Sequence, residues 1–198
     1  MRTGYESTDV YGANVFRGRT VKLATFPQLA REGLHAVDWY DRAAVSVASY
    51  AALHGHTVRY VADVIGILSP RVHVSRNVTM ADQYLRGLPV QGAMGPRIAA
   101  LAHYERSGDM AKGPALKIRA FSAALQGDPD AVVIDVWMVR AAGQPGSVTP
   151  KRYRALAARI RATATRMGIS PAGCQAAIWT GIRARAGYTD AGDLVMPQ

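Results

Sequence analysis

Lys117 and Asp135 are the residues whose types and spacing suit covalent chemistry. Lys117 sits in the first turns of a helical pattern running from about Pro114 to Leu125. Eighteen residues later Asp135 follows the apolar run Val132-Val133-Ile134 and opens a second pattern to about Ala142, with Arg140 five residues beyond it. A lysine amine is a nucleophile only when neutral, and partial burial favours that form. A carboxylate beside it can activate the amine or stabilise positive charge developing on a reacting carbon. A plainer reading has Lys117 meeting phosphate and Asp135 capping its helix. Spacing alone leaves both open.

The elements that must position these residues read as helices throughout. One pattern runs from about Pro27 to Ala36, and a second from an N-cap at Asp38 to a stop at Gly55. Thr57 to Leu68 places Val58, Val61, Ala62, Ile65 and Leu68 on one face, and Ser69-Pro70 breaks it. His73 to Leu85 and Arg97 to Arg106 read as further helices, with a Gly/Pro-containing stretch over 87–96 between them. The run Ala131–Ile134 fits a strand or a buried helical segment equally. Thr149-Pro150 and Ser170-Pro171 are start signals, a capping hydroxyl followed by proline at the first helical position. The helices they open run to Met167 and about Ala186. The expectation is an all-α bundle of about eight helices in one domain over 26–188, after an irregular arm (1–25) and before a loose tail (189–198).

The chain is 49% hydrophobic and 19% charged, a globular balance over 198 residues, enough for one domain with its own core. One cysteine, Cys174, cannot form an internal disulfide and reads as a small core residue. The five histidines show no metal-ligand spacing, and no cofactor is expected. The first residues lack the apolar run of a signal peptide, and no stretch reaches the roughly 18 apolar residues of a membrane span. The expected location is therefore cytoplasmic, as a monomer. Net charge is +10, and its distribution matters more than its size. Val136 to Thr189 contains no Asp or Glu but holds Arg140, Lys151, Arg152, Arg154, Arg159, Arg161, Arg166, Arg183 and Arg185. More than a quarter of the chain without its own counter-charge points to nucleic-acid phosphate more than to a solvated helix face.

Residues 112–140, KGPALKIRAFSAALQGDPDAVVIDVWMVR, resemble the core of the helix-hairpin-helix DNA glycosylase superfamily, especially its endonuclease III-like branch. There a lysine follows a glycine-rich hairpin and an aspartate in a V-D-T-H-like motif comes eighteen residues later. Residues 67–85, with Ser69, Asn77 and Ala81, are similar to that family's helix beginning L-S-x-Q. A closer resemblance is to a group of small tailed-phage proteins. It rests on Asp38-Trp39-Tyr40, Leu68-Ser69-Pro70, Lys117-Ile118-Arg119-Ala120-Phe121, Asp135-Val136-Trp137 and Gln175-Ala176-Ala177-Ile178-Trp179, spanning about residues 37–186. Three features depart from the superfamily. The hairpin KGPALK has one glycine, Trp137 stands where histidine is frequent, and Arg71 replaces a glutamine that enters the vacated base stack.

The resemblance implies a glycosylase-like fold with a degenerate hairpin, acting on DNA in the cytoplasm of a phage-infected bacterial cell. Lys117 and Asp135 would be catalytic. Arg71, Lys112, Gly113, Arg119, Arg140, Lys151 and Arg152 would bind DNA. Trp39, Tyr40, Asn77, Trp137 and Gln175 would line a pocket for an extruded base. In the simplest mechanism Lys117 attacks the sugar C1′, expels a damaged or modified base and forms a Schiff base, which gives lyase activity. Two alternatives stand beside it. One is a transferase of thymine hypermodification, which displaces pyrophosphate from activated 5-hydroxymethyluracil, Lys117 holding the leaving group. The other is a non-catalytic DNA-binding protein on the same scaffold. Several of these residues also have plainer readings: Asp38 as an N-cap, Trp39 and Trp179 as core, and Asn77 as a satisfied core amide.

Overall fold

The computed structural model describes residues 13–16, 19–22, 24–110, 115–143, 148–188 and 192–198. Nine α-helices occur among them: α1 (Phe26–Glu32), α2 (Trp39–His54), α3 (Val58–Leu68), α4 (Val74–Leu85), α5 (Gly95–Ser107), α6 (Leu116–Leu125), α7 (Val136–Ala141), α8 (Pro150–Met167) and α9 (Pro171–Arg185). A short 3-10 turn, Leu34–Ala36, follows α1. The protein is all-helical apart from one small feature. Residues 1–25 were expected to be irregular, but β1 (Ala13–Phe16) and β2 (Arg19–Lys22) pair antiparallel, Ala13 opposite Lys22 and Phe16 opposite Arg19. Four residues per strand are too few to show as periodicity.

The helix boundaries follow local chemistry. The side chains of Thr57, Thr149 and Ser170 each accept a backbone N–H from the first turn of their helix. Thr25 and Gln28 close a reciprocal capping box on α1. Gly55 ends α2 in the left-handed region, φ 68°, where a side chain would be strained. Asp38 is different. It occupies the N-cap position of α2 but makes no capping bond, because its backbone (φ −97°, ψ 9°) is not extended. Its carboxylate pairs with Arg42 one turn on.

The contacts divide the chain into two compact units. The first comprises residues 1–37 and 134–190. In it α9 is the central element, packed by α1, α7, α8 and the 3-10 turn. The approach of α1 to α9 is close because glycine stands on both sides. A Cβ on Gly181 would lie 2.2 Å from the Leu29 carbonyl oxygen, and one on Gly33 would lie 2.1 Å from that of Ala177.

The second unit comprises residues 38–133 and 191–198. Its centre is α3, with eight consecutive buried residues from Val61 to Leu68, packed by α2, α4, α5 and α6. The C-terminal residues, expected to be loose, belong to this core. Leu194 and Met196 are fully buried, and the Met196 amide donates to Ser46 Oγ at 2.7 Å. The Trp39 indole donates to the Gly192 carbonyl, and Arg42 pairs with Asp193. Two apolar side chains spaced by one residue, together with these polar contacts, anchor the tail, a signal too brief to stand out from sequence. The ambiguous run Ala131–Ile134 is neither strand nor helix; it is buried as irregular backbone.

Candidate functional site

In the second unit the site begins with a close approach of two helices. Gly66 on α3 leaves room for the Ile118 carbonyl of α6, which would sit 3.2 Å from any Cβ there. The helices are also cross-linked by polar groups. Asp63 on α3, only 1% exposed, accepts from Tyr104 of α5 at 2.6 Å and from Ser122 of α6, with Arg59 at 3.5 Å. Burial, and then the hydrogen bond to Asp63, push the Tyr104 hydroxyl well above its ordinary pKa. A buried carboxylate without such donors would be severely destabilising.

That packing brings Lys117, one residue before Ile118, to the end of α3. Its ammonium donates to Ser69 Oγ at 2.9 Å and lies 5.6 Å from the centroid of the Phe121 ring. Lys117 is half-buried, and Tyr40 packs edge-on against the same Phe121.

Ser69 is the root of a tight loop between α3 and α4. Its hydroxyl donates to the Gly66 carbonyl at 2.8 Å, and its carbonyl accepts from the Val72 amide. The next carbonyl, that of Pro70, accepts from the Arg97 guanidinium. Arg71 then stands exposed at the crest with φ 58°. A non-glycine residue in this region costs roughly 1–2 kcal/mol, so the surrounding bonds must hold it. Arg97 supplies much of that hold. It is 7% exposed, its Nε is buried without a hydrogen-bond partner, and burial, then the charge of Arg71, holds it below the ordinary arginine range. The start of α4 is tied down by Asn77, which donates to the Ile65 carbonyl at 3.2 Å.

In the first unit Asp135 caps α7. Its Oδ1 accepts from the amides of Trp137 (2.9 Å) and Met138 (3.0 Å). Its Oδ2 accepts from the Trp179 indole at 2.9 Å. The plainer reading of Asp135, a helix cap, is what the geometry displays. Around it, the Arg183 guanidinium lies 4.4 Å over Trp179 and 5.4 Å over Trp137, and Arg140 lies 4.7 Å over Trp137. Tyr188 meets Trp137 edge-on. Stacked guanidinium groups and aromatic rings in this arrangement hold one another by cation–π attraction.

The other expected residues fall as follows. Lys117, Arg71, Trp39, Tyr40, Asn77 and Arg119 belong to the second unit; Asp135, Trp137, Arg140, Lys151, Arg152 and Gln175 belong to the first. Arg119 is exposed and pairs with Asp109. Asn77 and Gln175 are buried, Asn77 with its Oδ1 lacking a partner. Trp39 is committed through its indole to the tail, and Trp137 is 8% exposed beneath arginine and tyrosine. Lys151 is exposed and Arg152 partly so, in the first turn of α8. Lys112 and Gly113, the hairpin residues, lie outside the described residues. One residue, Arg97, and one role, that of Trp179, escaped the sequence reading. Arg97 is 26 residues from Arg71 and carries no motif. The Trp179 indole meets Asp135 across 44 residues.

Among the described residues no three His, Cys, Asp or Glu side chains gather as metal ligands. Among them, too, no helix is long and apolar enough to cross a membrane. No curated protein and no solved structure matches the chain. Residues 24–186, which include α1 to α9 with Lys117 and Asp135, match the model of a family of unknown function, DUF7178, and the chain belongs to that family.

Proposed function

We propose that this protein acts on DNA at the level of a single base, as a glycosylase built on a helix-hairpin-helix-like scaffold, with Lys117 as its nucleophile. The observation that carries the reading is the Ser69–Val72 loop. It has an ammonium hydrogen-bonded at its root and an exposed arginine fixed in left-handed backbone at its crest. Strain of this kind persists where the surroundings over-determine it, and it clusters at functional sites. A planar guanidinium on a rigid loop suits the gap left when a nucleotide swings out of the stack. Lys117, once neutral, attacks C1′ and the N-glycosidic bond breaks. The base leaves with the bonding pair and takes up a proton, and the new amine gives one up. Opening of the sugar then yields a Schiff base.

Borohydride trapping tests this directly. Incubation with duplexes carrying a panel of modified bases should give a covalent complex, lost in Lys117→Ala. A full panel without trapping or base release would refute the reading. A second reading, DNA binding without chemistry, draws on Asp135, whose two oxygens are engaged by α7 and Trp179. It expects salt-sensitive binding that survives Lys117→Ala and no product. Mass analysis of nucleosides after incubation separates the readings, since a transferase would add mass to a thymine-derived nucleoside and a glycosylase would remove one.

A further inference from the structure

The residues of α8 alternate in a way that neither packing nor solubility requires. One side is buried: Tyr153, Leu156, Ala157, Ile160, Thr163 and Ala164. At about 100° per residue, the other side carries two basic rows. Arg152, Arg159 and Arg166 recur every seventh residue, as do Arg154 and Arg161. Seven residues advance about 10.5 Å and return almost to the same bearing, so each row runs along the axis. The rows are separated by roughly 140° of helix surface. Between them, at exposed positions, stand only Ala155, Ala158, Ala162 and Thr165, with Lys151 at the head of the strip. The Arg152 row is held in place: Arg159 lies 4.7 Å over the Phe26 ring, and Arg166 reaches Thr163 Oγ1.

We propose that this face of α8 lies in the major groove of duplex DNA, with one arginine row on each flanking phosphate strand and the alanine strip against the groove floor. A helix is about 10–12 Å across and the major groove about 12 Å wide, so a helix with small residues at its leading edge enters. The flanking strands offer one negative charge per roughly 1.7 Å of axis, and residues 136–189 carry nine Lys and Arg with no Asp or Glu among them. A lipid surface does not suit the face, because membrane-lying helices present leucine or aromatic residues and this strip presents none. Alanine and threonine read little sequence, so the contact is one of position rather than of specificity. The inference shares with the proposed function only the premise of a DNA partner, and it concerns other residues.

The test uses the full-length protein and an undamaged 20-base-pair duplex, followed by fluorescence anisotropy. Methyl green, a major-groove ligand, should compete with the protein, and netropsin, a minor-groove ligand, should not. The same sequence as duplex RNA should bind at least about tenfold more weakly, since its major groove is too narrow for a helix. Arg154→Ala with Arg161→Ala, and separately Arg159→Ala with Arg166→Ala, should each lower the slope of log affinity against log salt by about 2. Circular dichroism confirms that each variant keeps its helix. Competition by netropsin alone, equal affinity for duplex RNA, equal affinity for polyglutamate, or unchanged salt slopes in both variants would each overturn the proposal. None of these results depends on base release or trapping, so the glycosylase reading stands or falls separately.

Discussion

The Trp179 indole donates to Asp135 Oδ2 at 2.9 Å while Oδ1 of the same carboxylate caps α7 through two amides. One side chain therefore ties the start of α7 to the middle of α9, the central helix of its unit.

Removing that carboxylate should cost stability first. Asp135→Ala deletes a cap and leaves a half-buried indole N–H without its acceptor, a loss of about 2 kcal/mol in urea denaturation. Asp135→Asn, which keeps an amide oxygen for the cap, should lose less. An alanine variant as stable as wild type would mean that the cap and indole bond contribute nothing.

Under the proposed function, Arg71 and Arg97 should separate stability from DNA binding. Arg71→Gly removes the left-handed strain but adds unfolded-state entropy, effects of similar size. Stability should hold within about 1 kcal/mol while DNA affinity falls. Arg97→Met should weaken DNA binding despite the burial of Arg97, because the Pro70 carbonyl loses its donor and the loop its fixed shape. Unaltered DNA affinity in both variants would remove the loop from the proposed DNA-binding surface.

The crossing of α1 and α9 should tolerate no side chain at Gly181. A Cβ there would meet the Leu29 carbonyl at 2.2 Å, a backbone atom that cannot rotate away. Gly181→Ala should destabilise by roughly 1–3 kcal/mol, measured as a lower denaturation midpoint. The less crowded crossing at Gly66, where a Cβ would sit 3.2 Å from the Ile118 carbonyl, should show a smaller effect on substitution to alanine.

Cys174 should be silent to thiol reagents in the native protein. It is fully buried, and burial pushes its thiol up to about 11. Because the folded-state value is raised, the folded protein keeps the proton that the unfolded chain releases first. The associated stability is complete below the ordinary thiol range and is lost as pH rises toward about 11. Cys174→Ala should flatten the alkaline limb of the stability profile. Rapid labelling of native protein at pH 8 would contradict this.

Helix existence and limits were legible in the residues themselves. Thr57, Thr149-Pro150, Ser170-Pro171 and Gly55 act on backbone groups within four residues of themselves, so their neighbours in sequence are their partners in space. The burial of Ala131–Ile134 was equally readable from composition, though not its irregular backbone. What Lys117 and Asp135 do was not readable. Ser69 reaches Lys117 across 48 residues and Trp179 reaches Asp135 across 44. Pairings at such separations depend on which helices approach, and that was settled by glycines at the crossings and by buried groups such as Asp63 and Arg97. The anchoring of the last residues has the same origin. Leu194 and Met196 are ordinary apolar residues until α2 supplies the surface that covers them.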